Sequence, residues 1–134
     1  VSDDYINGND KASGSVMKTI LIIDDSFIAR MMIKKVLSQE AYNTCEASDG
    51  SEAFIILQEK RVDLILLDLL MPKESGEVVL ERLKAHYADI PVIILSADIQ
   101  ETTKQRCISG GAATFVTKPP NPLTLLPVIK EILS

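Results

Sequence analysis

The run Leu64-Ile65-Leu66-Leu67 is aliphatic without a break and then stops on Asp68. Such a run reads as a strand covered on both faces, because a strand with one wet face alternates apolar and polar residues. Strands of this kind belong to parallel sheets packed between helices. The Asp68 carboxylate then falls where the strand leaves the core, and in open α/β sheets that carboxyl edge is where ligands and chemistry collect. Pro72 keeps any helix from running through the loop behind it. Alone, Asp68 would read as a turn cap; its neighbours along the chain decide otherwise.

Four further strand patterns share the rhythm. Thr19–Ile23 ends in Asp24-Asp25-Ser26, where Ser26 reads as an N-cap, and apolar residues at 28, 32, 33, 36 and 37 follow helical spacing to about Ser38. A short strand is expected over 42–46, then a turn at Asp49-Gly50-Ser51 and a helix over 51–60 with Ala53, Ile56 and Leu57 inward. The central strand spans 63–68, followed by a helix over 75–86 that turns Val79, Leu80 and Leu83 inward. Pro91–Leu95 is a buried strand ending at Ser96-Ala97. A weaker helix over 99–109 has Ile99 and Ile108 as almost its only large apolar residues, and Gly110-Gly111 end it. The last strand spans 113–117, before Lys118-Pro119-Pro120 and a helix over 122–133. Pro122 suits its first turn, whereas Pro127 predicts a kink or a late start.

Five strands alternating with five helices predict an α/β fold, a doubly wound five-stranded parallel sheet with right-handed crossovers. The strand order 2-1-3-4-5 is adopted from flavodoxin-like sheets, which have this element count. Residues 1–17 read as a flexible leader or linker, since 1–16 hold Gly, Ser, Asn and Asp with little apolar content, and 18–134 read as one domain. The chain opens on Val1, and the segment suits either a linker from an upstream domain or a foreign leader ahead of a start at Met17.

A net charge of -5 argues against DNA or RNA as a direct partner, because phosphate binding needs a basic patch. No apolar run reaches the roughly 18 to 20 residues of a membrane span, and 1–16 lack the apolar core of a signal peptide. Cys45 and Cys107 stand far apart with no CxxC pairing, so they read as reduced, partly buried thiols of a cytosolic protein.

Asp24/Asp25, Asp68, Ser96 and Lys118 all fall at strand carboxyl ends. In the adopted order Asp24/Asp25 and Ser96 flank Asp68 at about 4.8 Å per strand, and Lys118 lies roughly 10 Å away, within reach of its stem. Each has a plain explanation alone: the acidic pair charging a helix N-terminus, Ser96 satisfying a loop backbone, Lys118 a solvated charge. Their convergence is harder to explain that way. Three crowded carboxylates repel unless a cation intervenes. Mg2+, a hard ion that uses one or two carboxylates plus phosphate oxygens, suits the site, and three negative charges balance a divalent ion and one lysine. Such a pocket could accept a phosphoryl group, with a carboxylate as nucleophile.

These residues resemble the receiver domain of bacterial two-component response regulators, in the manner of the small chemotaxis regulators, over about 18–133. The resemblance rests on Asp24-Asp25-Ser26, Asp49-Gly50 before Glu52-Ala53, Asp68 with Met71-Pro72 and Gly76, Ser96-Ala97, and Gly111-Ala112 leading to Phe115 and Lys118-Pro119. It implies that Asp68 is the phosphoacceptor, loaded from a sensor histidine kinase or histidine phosphotransfer protein. It further implies that Asp25, Asp68 and the Leu70 carbonyl ligate Mg2+, with Mn2+ as a substitute, and that Asp24 acts through water. Lys118 would pair with the phosphoryl oxygens. Ser96 would bond to the phosphoryl group, and Phe115 would turn inward and change the face of the fourth helix, fifth strand and fifth helix for a downstream protein target. The Lys118-Pro119 bond is expected cis. Such a domain is cytoplasmic and catalyses only its own phosphorylation and dephosphorylation.

Phe115 lacks the hydroxyl of a tyrosine; Leu70 and Asp98 lie where the family varies in dephosphorylation rate; Pro120 and Pro127 are unusual. Two other readings compete. A Mg2+-dependent phosphatase of the haloacid-dehalogenase type would carry a second aspartate where Leu70 stands. A phosphorylation-independent interaction module would not need Asp25, Asp68, Ser96 and Lys118 intact. No GxGxxG or GxxxxGK[ST] motif suggests a nucleotide.

Overall fold

The computed structural model describes residues 17–98 and 100–134, so the expected leader over 1–16 and the expected helix position Ile99 lie outside the described residues. The elements run β1 (Thr19–Ile23), α1 (Phe27–Leu37), β2 (Asn43–Ala47), α2 (Gly50–Glu59), β3 (Leu64–Leu67), α3 (Gly76–His86), β4 (Val92–Ser96), α4 (Glu101–Ser109), β5 (Thr114–Thr117) and α5 (Pro122–Leu133). The sheet is parallel throughout, in the order β2-β1-β3-β4-β5. Each element lies within two residues of its expected bounds.

Alternation of side chains sorts the strands into two cores. Leu21, Ile23, Ile65, Leu67, Val92 and Ile94 face α2, α3 and α4, while Ile20, Ile22, Leu64, Leu66, Ile93 and Leu95 face α1 and α5. Both layers are buried, which is why β1, β3 and β4 carry unbroken aliphatic runs. The register then sets the heights of the carboxyl-edge residues. Ile23 pairs with Leu67, so Asp24 and Asp68 leave the sheet together. Leu67 pairs with Ile94 and Ser96 with Thr117, which puts Ser96 one step and Lys118 two steps beyond the level of Asp68.

Three helices show what their spacing left open. In α1 only Ile33, Val36 and Leu37 are buried; Ile28 and Met32 are exposed, as are Phe27 and Met31. At roughly 100° per residue, Met32 lies about 90° and Ile28 about 130° from the middle of the buried arc, so both fall outside the core. In α4, Ile108 is exposed and the buried residues are Thr103 and Cys107. α5 does not start late: Asn121 caps it by accepting the Leu123 N–H at 2.8 Å, Pro122 opens it, and it continues through Pro127 to Leu133. Gly111 follows α4 with φ of 108°, a conformation that favours glycine. The Lys118-Pro119 bond is cis, as expected.

Candidate functional site

Asp24, Asp25 and Asp68 converge at the carboxyl edge, each offering an oxygen within 4.8 Å of the others. The parallel pairing of β1 with β3 does this directly, and the Asp68 N–H donates to the Ile23 carbonyl at 2.9 Å. Asp24 and Asp68 are buried, whereas Asp25 is open to solvent. Lys118 descends from its higher level. Its N–H donates to the Ser96 carbonyl, and its ammonium lies 2.6 Å from Asp24 Oδ2 and 3.3 Å from Asp68 Oδ1.

Asp24 is fully engaged. Its Oδ1 accepts the Ser26 N–H at 2.9 Å, its Oδ2 takes Lys118, its N–H donates to the Ala47 carbonyl, and its own carbonyl accepts Arg30 Nη1 at 2.6 Å. Ser26 also caps α1, accepting the Ala29 N–H at 3.1 Å, so the turn carrying the acidic pair is held at both ends.

The electrostatics follow from that geometry. Burial, then the neighbouring Asp24 carboxylate, push the Asp68 pKa up, against the pull of Lys118 and the Leu70 N–H. For Lys118, burial alone would lower the pKa, but the hydrogen bond and charge of Asp24, joined by Asp68, raise it overall. At Asp68, therefore, the one ammonium does not offset burial and the Asp24 charge together. An all-oxygen set with one open member fits a hard divalent ion that keeps part of its water.

The loop after Asp68 closes on it tightly. The Gly76 N–H donates to the Leu69 carbonyl at 2.8 Å, and a Cβ on Gly76 would lie 2.2 Å from the Asp68 carbonyl oxygen. Ser75 caps α3 through the Val78 N–H. Leu70 projects outward, 65% exposed.

Ser96 is buried at the edge, and its hydroxyl accepts the Asp98 N–H at 3.1 Å. Asp98 in turn accepts the Gln100 N–H at 3.0 Å and the Thr103 hydroxyl at 3.1 Å, tying the loop to α4. Phe115 on β5 is half-buried against the α2–α3–α4 core, with the Lys104 ammonium 5.7 Å from its ring centre.

Two features escaped the sequence reading. Thr103 gives no local sign that it will meet Asp98. Arg30, which holds the Asp24 carbonyl, did leave a signal: it is the one charged residue in the otherwise uncharged stretch Phe27–Ile33.

The response regulator receiver domain family model matches residues 20–130. Among curated relatives, the chain is 38% identical to the phosphate regulon transcriptional regulatory protein PhoB of Pseudomonas aeruginosa over 88% of this chain and 52% of PhoB. It is 34% identical to the transcriptional regulatory protein SrrA of Staphylococcus aureus, over 85% of this chain and 47% of SrrA. The chain thus spans about half the length of these relatives. Among solved structures, the chemotaxis protein CheY4 of Vibrio cholerae superposes with a TM-score of 0.81 at 30% identity, covering 88% of this chain and 100% of that one. A CheY-like response regulator receiver domain protein of Methanospirillum hungatei gives 0.81 at 27% identity, covering 88% and 94%. The chain belongs to the receiver domains of two-component response regulators, which are signalling switches rather than classical enzymes.

Proposed function

We propose that Asp68 accepts a phosphoryl group from a phosphohistidine on a sensor histidine kinase or a histidine phosphotransfer protein. A carboxylate oxygen of Asp68 attacks phosphorus; the O–P bond forms as the donor's N–P bond breaks, and the imidazole leaves with that electron pair. Lys118, already 3.3 Å from Asp68, meets the charge gathering on the phosphoryl oxygens. Asp25 and Asp68, with the Leu70 carbonyl, would hold Mg2+ or Mn2+, whose part when bound is to neutralise those same oxygens. Asp24, with both carboxylate oxygens taken, suits a role through water. The observation that carries the reading is the Asp68 carboxylate set among two further carboxylates and Lys118 at one edge.

The output is a population shift. The phosphoryl group draws the Ser96 hydroxyl from its bond with the Asp98 N–H, the loop follows, and Phe115 turns further inward. The surface of α4, β5 and α5 then changes for a downstream protein. Exposed Phe27, Ile28, Met31 and Met32 on α1, beside the acidic pair, offer apolar surface to the phosphoryl donor. No helix among the described residues is long and apolar enough to cross a membrane, and Cys45 and Cys107 are free, which suits a cytoplasmic setting. The absence of a nucleic-acid partner is proposed for residues 18–134 alone, because PhoB and SrrA, named as transcriptional regulators, extend well beyond the matched region.

Incubation with acetyl phosphate or a phosphoramidate and Mg2+, followed by intact mass, tests the reading. One acid-stable, base-labile phosphoryl adduct is expected, and it should be missing from Asp68→Asn. No adduct, or one that survives that substitution, refutes it. Leu70, exposed beside the acceptor, shields the adduct from water; Leu70→Asn should shorten its lifetime several-fold, and an unchanged lifetime removes that role.

A further inference from the structure

Asp25 is the exposed member of the acidic cluster, and among the described residues no donor holds its carboxylate. The backbone sets where its Cβ leaves the chain, and the peptide that joins it to Asp24 is one of the two that do so. The oxygen of that peptide, the Asp24 carbonyl, accepts Arg30 Nη1 at 2.6 Å. Arg30 is itself fixed. Its Nε donates to Glu46 Oε1 at 2.9 Å, the second Glu46 oxygen takes Lys34 Nζ at 2.6 Å, and the guanidinium lies over the Phe27 ring at 5.8 Å. Its side chain is only 14% exposed. The arginine fork places its Nε and Nη1 donors on two separate atoms of one rigid plane, whereas a lysine would have to serve both acceptors from a single nitrogen on a flexible stem.

We propose that Arg30 is a positioning residue for divalent-cation binding: by holding the Asp24 peptide it fixes Asp25 where its carboxylate and that of Asp68 can share one ion. The inference rests on reading the acidic cluster as a cation site. It makes a prediction whose sign separates it from simple electrostatics. A guanidinium near three carboxylates repels an incoming cation, so removing its charge should tighten binding if charge were all that mattered. Loss of positioning does the reverse. Residues that orient metal ligands from behind cost about 10–100-fold in affinity when removed.

The test is titration of the intact metal-free chain with Mn2+, reading free ion by electron paramagnetic resonance, in the wild type and in Arg30→Gln, Arg30→Lys, Lys34→Gln and Asp25→Asn. Arg30→Gln is expected to weaken Mn2+ by about 10-fold or more. Arg30→Lys, which keeps the charge and preserves the fold if Arg30→Gln does not, should weaken it too. Lys34→Gln, which alters the same ion-pair cluster without touching Asp24, should leave it unchanged or slightly tighter. Full affinity in Arg30→Lys, or equal or tighter binding in Arg30→Gln, overturns the inference while loss of binding in Asp25→Asn leaves the cation site standing. A wild type that binds no Mn2+ defeats both.

Discussion

Helix α3 buries Val79, Leu80 and Leu83 along with Gly76, whereas α4, packed on the same side of the sheet, buries only Thr103 and Cys107. What α4 lacks in apolar burial it has in polar tethers: Thr103 to Asp98, Arg106 to Glu77 through two hydrogen bonds, and Lys104 over Phe115. The two kinds of attachment behave differently. Apolar burial has no direction and is lost only when surface returns to water, while a hydrogen bond or ion pair can exchange one partner for another at little net cost. The chain therefore fixes the helix that follows Asp68 and leaves adjustable the one that follows Ser96. A short opening of α4 would cost less than one of α3, which suits an element that reports a change at the edge.

The largest test of that contrast is truncation in the fixed helix. Leu83→Ala should cost about 2–5 kcal/mol by chemical denaturation, because Leu83 is fully buried. Cys107→Ala in α4 should cost only about 0.8 kcal/mol, one methylene's worth. Comparable losses at the two sites would remove the distinction. Next comes Asp68, the proposed acceptor. Asp68 has its pKa raised in the folded state, so the fold binds its proton more tightly than the unfolded chain does, and the ionised form costs stability. That cost is nil below the ordinary carboxylate range and grows as pH rises through it to the raised value. In metal-free buffer at neutral pH, Asp68→Asn should therefore be more stable by about 0.5–2 kcal/mol, a range common when strain at a functional site is relieved. The advantage should vanish in acid, and Mg2+ should stabilise the wild type more than the variant in thermal melts. An Asp68→Asn melting point equal to wild type across that pH range would show that the site stores no such strain. The smallest effect belongs to a tether. Thr103→Val removes the hydroxyl that meets Asp98 and should cost about 0.5–1.5 kcal/mol. Amide exchange should quicken in α4 and stay unchanged in α3; uniform quickening would show that the two helices open as one unit.

What the amino-acid order disclosed, and what it withheld, divides along physical lines. The central strand and its terminal Asp68 were legible because burial on both faces demands aliphatic residues and the chain ends that demand abruptly. Strand alternation with helices carried the parallel architecture, and the register observed is what lets Asp24 and Asp68 meet. The orientation of α1 was not legible, since spacing reveals a period but not which arc the sheet covers; Ile28 and Met32 kept the period and stayed outside. Ile108 misled for the same reason, standing beside the buried Cys107 on a helix with few anchors. Of the two outcomes that Pro127 suggested, the late start did not occur, because Asn121 and Pro122 open α5 on time and the helix accommodates one missing backbone donor. The clamp of Arg30 on the Asp24 carbonyl joins residues whose partners, Glu46 among them, are brought near only by β1–β2 pairing.

The seat of Gly76 against the Asp68 carbonyl limits how such a chain can diversify. Any side chain there would push on the backbone of Asp68 itself, so position 76 is closed to change in a way that its exposed neighbours Leu70 and Lys73 are not. The outer residues of this loop can therefore be exchanged without moving the Asp68 backbone, while its returning glycine cannot.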